Sequence, residues 1–441
     1  MSDSTDFTPH PPPWFVRHYP LLLGVLGLLP FVIYSATIAK LFWFGDDFDL
    51  VGQINRVGLW TWIAKPWVES YSPVFKFVWG SSVFVFHGSY FAMLALVWVS
   101  HAIAVVLFGY LLRLAGFGWM AVASALAIVG LAWTNVETLC WSVQLSPTLA
   151  NMFFVAAVLI HVRYAGDCSL RVQGWIVLCI AASALCYSRG VLSGVVLATM
   201  CFVPLTGRPT ISFTRRATVA VAYLLPSIAV TAVIMRVATG NQQAVLAGQT
   251  DKFAQMLLFG LWYFCLNPFY YLLKITSWGP SITWMLGAAK IALIVATLWK
   301  SRGRERWLLT LLLLFDLGNA ALLGLGRYHT GLRASVSSRY QYCALLATIP
   351  FVGFWLEWLL LRAPAQFHFR SFVAAAVAAV LAFTMLRGWR PALEPFVYGR
   401  GTEPRAVLLS SQPLPANYQT PGIPGLPPDI ARGLIARYHL H

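Results

Sequence analysis

Apolar runs long enough to cross a bilayer recur along the whole chain, separated by short polar connections. The first spans Leu21–Phe44, and others fall at 90–113, 118–134, 145–162, 173–188, 190–206, 217–238, 281–299, 307–326, 341–361 and 371–387. Roughly 20 apolar residues in a helix cover the hydrocarbon core, so the pattern predicts an all-α polytopic membrane protein of about eleven transmembrane helices. The opening MSDSTDFTPHPPPW is polar and proline-rich without a small-residue cleavage site, so the first run reads as a retained helix. The run 253–275 breaks the alternation, because a crossing there would throw KSRGRER (300–306) to the other side. It is expected to be interfacial or re-entrant, broken at Asn267-Pro268.

Loop charge gives the orientation. Arg163/Arg171, Arg208/Arg215/Arg216, Lys300/Arg302/Arg304/Arg306 and Arg362/Arg370 share one side, which the positive-inside rule makes cytoplasmic along with the N-terminus. The segment 44–89 then becomes a large external loop. Val51, Ile54, Val57, Leu59, Trp60 and Trp62 in its middle predict a short amphipathic helix along the membrane surface. Residues 1–388 form the membrane part that would carry any catalysis. Residues 389–441, with Pro391, Pro395, Pro404, Pro413, Pro415, Pro421, Pro424, Pro427 and Pro428, are expected to be a mostly irregular external tail.

Composition narrows the class. Hydrophobic residues are 59% and charged residues 10%, against about 25% charged in soluble domains. With a mean hydropathy of +0.70, this excludes a soluble domain on a single anchor. The 19 Trp suit the membrane–water boundary, and flat rings also stack on sugars and prenyl chains. The net charge of +16 comes without a basic recognition helix or zinc spacing, so nucleic acid is not the expected partner. Loop charge that sets topology, or binding of phosphate-bearing membrane lipids, accounts for it. The seven cysteines lack CxxC spacing and mostly lie in apolar runs, as packing residues do.

With only 15 carboxylates, candidate chemistry can be sought by elimination. Tail residues, those in cytoplasmic loops among arginines, and Asp251 beside Lys252 drop out. Asp46, Asp47, Asp49, Glu69, Glu137 and Asp316 remain. Asp46 and Asp47 are adjacent, just past the external end of the first helix. Neighbouring carboxylates repel, and partial burial raises a pKa further, so one can accept a proton while the other holds an orienting contact. A solvated helix exit would show the same dipeptide.

An acidic pair after the first membrane helix, a helical external loop, and about ten further helices resemble the GT-C superfamily of membrane glycosyltransferases. Asn135-Val136-Glu137-Thr138-Leu139-Cys140-Trp141-Ser142-Val143-Gln144 is similar to the acidic-residue-then-Trp signature between the third and fourth helices of such proteins. Many of them carry a Pro ahead of that Glu, where this chain has Trp133-Thr134-Asn135. The resemblance covers roughly the first 200 residues in pattern and the rest in topology. It implies a bacterial inner-membrane enzyme whose active site faces the periplasm and takes a sugar from a polyprenyl-phosphate carrier. Asp46 or Asp47 would be the base, with Glu137 in reserve, and transfer would invert the sugar. The acceptor would be a glycan, a lipid or a secreted protein such as a pilin. Glu137, Trp141, Gln144, Tyr71 and Tyr340 would line the substrate site. The resemblance fixes no cofactor, and a divalent cation bridging the Asp pair and the donor phosphate is compatible with the superfamily.

Arg327, Arg333 and Arg339 lie between two spans on the external side, which the positive-inside rule disfavours. Forked guanidinium donors suit a donor phosphate, and snorkelling to lipid headgroups would also place them there. Arg189, at the turn Ser188-Arg189-Gly190, has the same two readings. Loop lysines Lys65 and Lys76 could assist. His87, His101, His161, His329 and His368 lack metal-ligand spacing. Asp316, mid-helix near Asn319, is a costly intramembrane carboxylate suited to helix–helix hydrogen bonding. Two other functions remain in view: a lipid-linked sugar flippase, which needs charges inside several spans, and an O-antigen-type polymerase, which works through arginine-rich external loops.

Overall fold

A computed structural model describes residues 13–66, 70–167, 169–203, 212–236, 243, 247–273, 280–362, 367–410, 413 and 426–441. Among these the only regular secondary structure is helical, with no strand. Its principal helices are α1 (Pro13–Ile33), α2 (Asp46–Val57), α3 (Leu59–Ala64), α4 (Pro73–Val85), α5 (Tyr90–Leu114), α6 (Trp119–Leu131), α7 (Leu145–Arg163), α8 (Leu170–Cys186) and α9 (Val191–Met200). They continue as α10 (Phe213–Met235), α11 (Thr250–Leu266), α12 (Pro280–Lys300), α13 (Gly303–Arg327), α14 (Gln341–Arg362), α15 (Phe367–Val397), α16 (Glu403–Leu409) and α17 (Pro428–Tyr438).

Among the described residues, eight helices are long and apolar enough to span a membrane, so this is a polytopic helical protein. They coincide with the expected runs at 90–113, 118–134, 145–162, 217–238, 281–299, 307–326, 341–361 and 371–387. The other three expected runs fall on shorter apolar helices, His18–Ile33, Leu170–Cys186 and Ser188–Met200. The first therefore ends well before Phe44. The chain leaves α1 at Tyr34, whose hydroxyl donates to the Leu386 carbonyl at 3.0 Å, and is non-helical from Leu41 to Phe44.

One end of the bundle gathers the basic connections. Arg113 donates to the Phe117 carbonyl at 2.6 Å, and Glu357 accepts from the Gly118 amide at 2.9 Å. Lys300 and Arg362 both lie over the Trp358 ring, at 4.9 and 3.8 Å. The loops after α1, α6, α8 and α13 meet at the opposite end. The run 253–275, described as far as Leu273, begins at that end. Met256 packs against Gly324 and Tyr263 bonds Asp316, so α11 descends alongside the upper half of α13. Trp262 meets Trp284, and Lys290 bonds the Phe264 and Asn267 carbonyls, so α12 descends in the same direction. Helix α11 stops at Leu266, and the chain turns at Asn267-Pro268.

Two expectations about the loop and tail need correction. The segment 44–89 carries three helices in place of one, and its α4 is apolar and packed, with Phe75 and Trp79 fully buried. Lys76 is part of that packing and bonds the Trp62 and Lys65 carbonyls. Residues 389–441 are not mostly irregular where described, and no boundary falls at 388, because α15 runs through it. Trp389, Leu393 and Val397 recur every four residues as a buried apolar stripe that the proline count hid. Pro404 and Pro428 occupy first helical turns, where a missing N–H costs nothing. Helix α17 lies on α2, with Leu434 beside Gly52, and the Tyr90 amide donates to the His441 carbonyl at 2.9 Å.

Candidate functional site

The acidic pair is set by one backbone feature. Gly45 has φ 56° and ψ −131°, a conformation essentially reserved for glycine, and a Cβ there would stand 3.3 Å from Trp141 Cζ2. This turn starts α2 and sends the two carboxylates in different directions. Asp47 points inward and is fully buried. It accepts from the Ser142 hydroxyl, from Tyr90 at 3.1 Å and from the Phe44 amide at 3.4 Å. Trp79 Nε1 in turn donates to Ser142 at 2.9 Å. Asp46 stays half-buried. Gly45→Ala should destabilise the protein by about 1–3 kcal/mol and displace α2, measured as a lower unfolding temperature together with reduced activity.

Asp46 faces three cations from two distant parts of the chain, Arg327 and Arg339 from the end of α13 and the connection after it and Arg400 after α15, which are within electrostatic reach of its carboxylate. Glu137 lies among the same groups. One of its oxygens accepts from Ser338 Oγ, and the other is 3.7 Å from Arg400 Nη1. Arg400 rests over the rings of Phe396, Phe44 and Trp141, at 4.6, 5.1 and 5.5 Å. Buried donors here lack hydrogen-bond partners: Arg339 Nε, Arg400 Nη1 and Trp141 Nε1. Desolvated N–H groups without acceptors are costly, and such donors close to one another suit an oxygen-rich anion.

The other expected site residues divide. Trp141 is buried, stacked on Phe44 with centroids 5.2 Å apart, so its face is not open to a sugar. The Tyr340 ring lies between Arg339 (5.2 Å) and Arg189 (5.9 Å) and is likewise buried. Arg189 sits deeper, donating to Cys343 Sγ at 3.0 Å. Arg333 is exposed, and Gln144 and Tyr71 are half-buried. Glu69 lies outside the described residues. His101 is a core residue bonded to Tyr342 and the Gly130 carbonyl. No group of three or more His, Cys, Asp or Glu side chains suited to a metal ion occurs among the described residues. A groove of about 440 Å³ is lined by Trp133 from the connection after α6, by Leu272, and by Phe383, Met385, Arg387 and Pro391 of α15. Sequence reasoning missed Arg400, Ser142 and Tyr90. Ser142 lay within the quoted 135–144 motif without being singled out, and the Arg400 charge lay in the supposed tail.

Burial pushes the Asp46 carboxyl above the ordinary carboxylate range and Asp49 adds to this, while the arginines pull it back. Burial pushes Asp47 up to about 7 despite its three donors. Because the folded state holds that proton more tightly than the unfolded chain, Asp47 contributes stability in full below about pH 4, and this is lost as pH rises through about 7. Thermal unfolding across pH 4–8 should show this decline, and Asp47→Asn should flatten it (range set by the ordinary carboxylate value and the folded one).

No family model, curated protein or solved structure matches this chain.

Proposed function

We propose that the chain is an inverting membrane glycosyltransferase of GT-C type, moving a sugar from a polyprenyl-phosphate carrier to an acceptor hydroxyl at the external face of a bacterial inner membrane. The observation that carries this reading is a raised, half-buried carboxylate, Asp46, facing three arginines at one end of a membrane bundle. Asp46 takes the acceptor proton, the acceptor oxygen bonds the anomeric carbon, and the bond to phosphate breaks with its electron pair leaving on the phosphate. Asp47 is locked by its donors and positions the turn. The groove beside Trp133 and Arg387 offers a bed for the prenyl chain. Nucleotide sugars do not reach the external face, whereas a flipped lipid carrier does.

Charge supports the donor class. Arg327, Arg339 and Arg400 exceed Asp46 and Glu137 by about one positive charge, matching the single negative charge of a sugar phosphodiester. Once Asp46 is protonated the excess is about two, close to the charge of the departing phosphomonoester. Asp49, which acts on Asp46, also faces the Lys76 cation, and counting the two together leaves these sums unchanged. Arg339→Ala should weaken donor use about ten- to a hundredfold, and Arg339→Lys less, because lysine keeps the charge and loses the fork. Equal donor affinity in Arg339→Ala and wild type would return this arginine to lipid headgroups.

A flippase reading draws on Lys290 and Asp316, buried and paired at 3.1 Å next to the break after α11. Discontinuous helices beside buried charges do line transport pathways. Here Lys290 is bonded to two carbonyls as well as Asp316, which makes it a helix cap. Lipid-linked sugars from a deletion strain separate the readings: a transferase mutant accumulates the donor on the external face, and a flippase mutant retains it on the cytoplasmic face.

A further inference from the structure

We propose that Arg400 is a ligand of the donor phosphate, parked against Glu137 until the phosphate arrives; this rests on the transferase reading of the site. The Arg400–Glu137 contact is that of a weak, replaceable partner. Its 3.7 Å separation is within ion-pair range and too long for a hydrogen bond, and Arg400 Nη1 is buried without one. The guanidinium also lies against ring faces of Phe44, Trp141 and Phe396, which hold a cation and offer its N–H groups no in-plane acceptor, and its side chain is 38% exposed, open to an incoming anion. Glu137 is anchored on its other side by Ser338, the residue next to Arg339, so the exchange happens beside the second phosphate-binding candidate.

The local backbone sets where Arg400 stands. Residues Tyr398–Thr402 form a wide π turn between α15 and α16, a local distortion that commonly marks functional positions. Gly401 packs so closely on Lys40 and Leu41 that a Cβ would stand 2.5 Å from the Lys40 carbonyl oxygen. That contact sets Arg400 beside the non-helical segment leading to Phe44 and Asp46. A phosphate offers forked, charge-assisted bonds in place of one long ion pair, so the arginine gains by leaving Glu137.

Binding of farnesyl phosphate to the purified full-length chain in detergent, with farnesol as the uncharged control, tests the proposal by calorimetry. Arg400→Ala should weaken farnesyl phosphate about ten- to a hundredfold and leave farnesol unchanged. The nearly isosteric Glu137→Gln should tighten farnesyl phosphate several-fold, because it removes the competing partner, and that gain should vanish when Arg400→Ala is added. Unchanged phosphate affinity in Arg400→Ala, or unchanged or weaker binding in Glu137→Gln, would overturn it; Glu137→Gln tests the parking contact even where Arg400→Ala does not fold. No acceptor or transfer enters this assay. Arg400-dependent binding in a protein that transfers nothing would therefore sink the transferase reading and not the phosphate site.

Discussion

Asp46→Asn is expected to lower sugar transfer by about 10²–10⁴-fold while leaving folding and donor binding nearly intact, the range for loss of a general base. Asparagine keeps the shape of the side chain and cannot take the acceptor proton. Because burial holds the Asp46 pKa above the ordinary carboxylate range, wild-type transfer should also rise with pH as this group ionises, and the variant's residual rate should lose that dependence. Asp47→Asn should behave differently. Its partners Ser142, Tyr90 and the Phe44 amide hold a turn, so the main change should be in stability and its pH profile. Steady-state rates of purified variants check both. Wild-type transfer by Asp46→Asn would remove it from the base's role and leave Glu137 as the carboxylate to test.

Lys290→Met should destabilise the protein by about 3–5 kcal/mol, the largest stability effect expected of a single substitution here. It strands Asp316, which is buried, and strips the Phe264 and Asn267 carbonyls of their donor at the end of α11. Asp316 would keep only Tyr263, at 3.1 Å, and Tyr263 also receives Asn319. The double variant Lys290→Met, Asp316→Leu removes both charges together and should recover a sizeable part of the loss. Thermal unfolding in detergent reads the difference. Single and double variants unfolding at the same temperature would show that the two charges are not coupled.

Hydropathy made the long helices legible, because a bilayer demands long apolar runs wherever the chain crosses. The break at Asn267-Pro268 was legible too, since proline cannot continue the ladder and the loop charges forbade a crossing. Helix α4 was not: thirteen residues are too few for a span, so Pro73–Val85 reads as loop although Trp79 is buried deep. Asp46 and Asp47 could not be ranked, because neighbours in a helix project about 100° apart and the direction of each depends on the Gly45 turn. Arg400 was hidden for a different reason. Its place beside Asp46 comes from tertiary packing of a proline-bearing segment, through Trp389, Leu393 and Gly401; the four-residue apolar stripe marks a helix there and does not say what that helix packs against.

The central claim is that this protein itself transfers the sugar. Its most direct test gives the purified chain in detergent a polyprenyl-phosphate sugar and an acceptor glycan in one compartment, and measures glycosylated acceptor together with released polyprenyl phosphate. A transferase should form both in equal amounts, and the Asp46→Asn, Asp47→Asn double variant should form neither. Full transfer by the double variant would contradict the mechanism, and no product from wild type across polyprenyl-phosphate hexose and pentose donors would contradict the function.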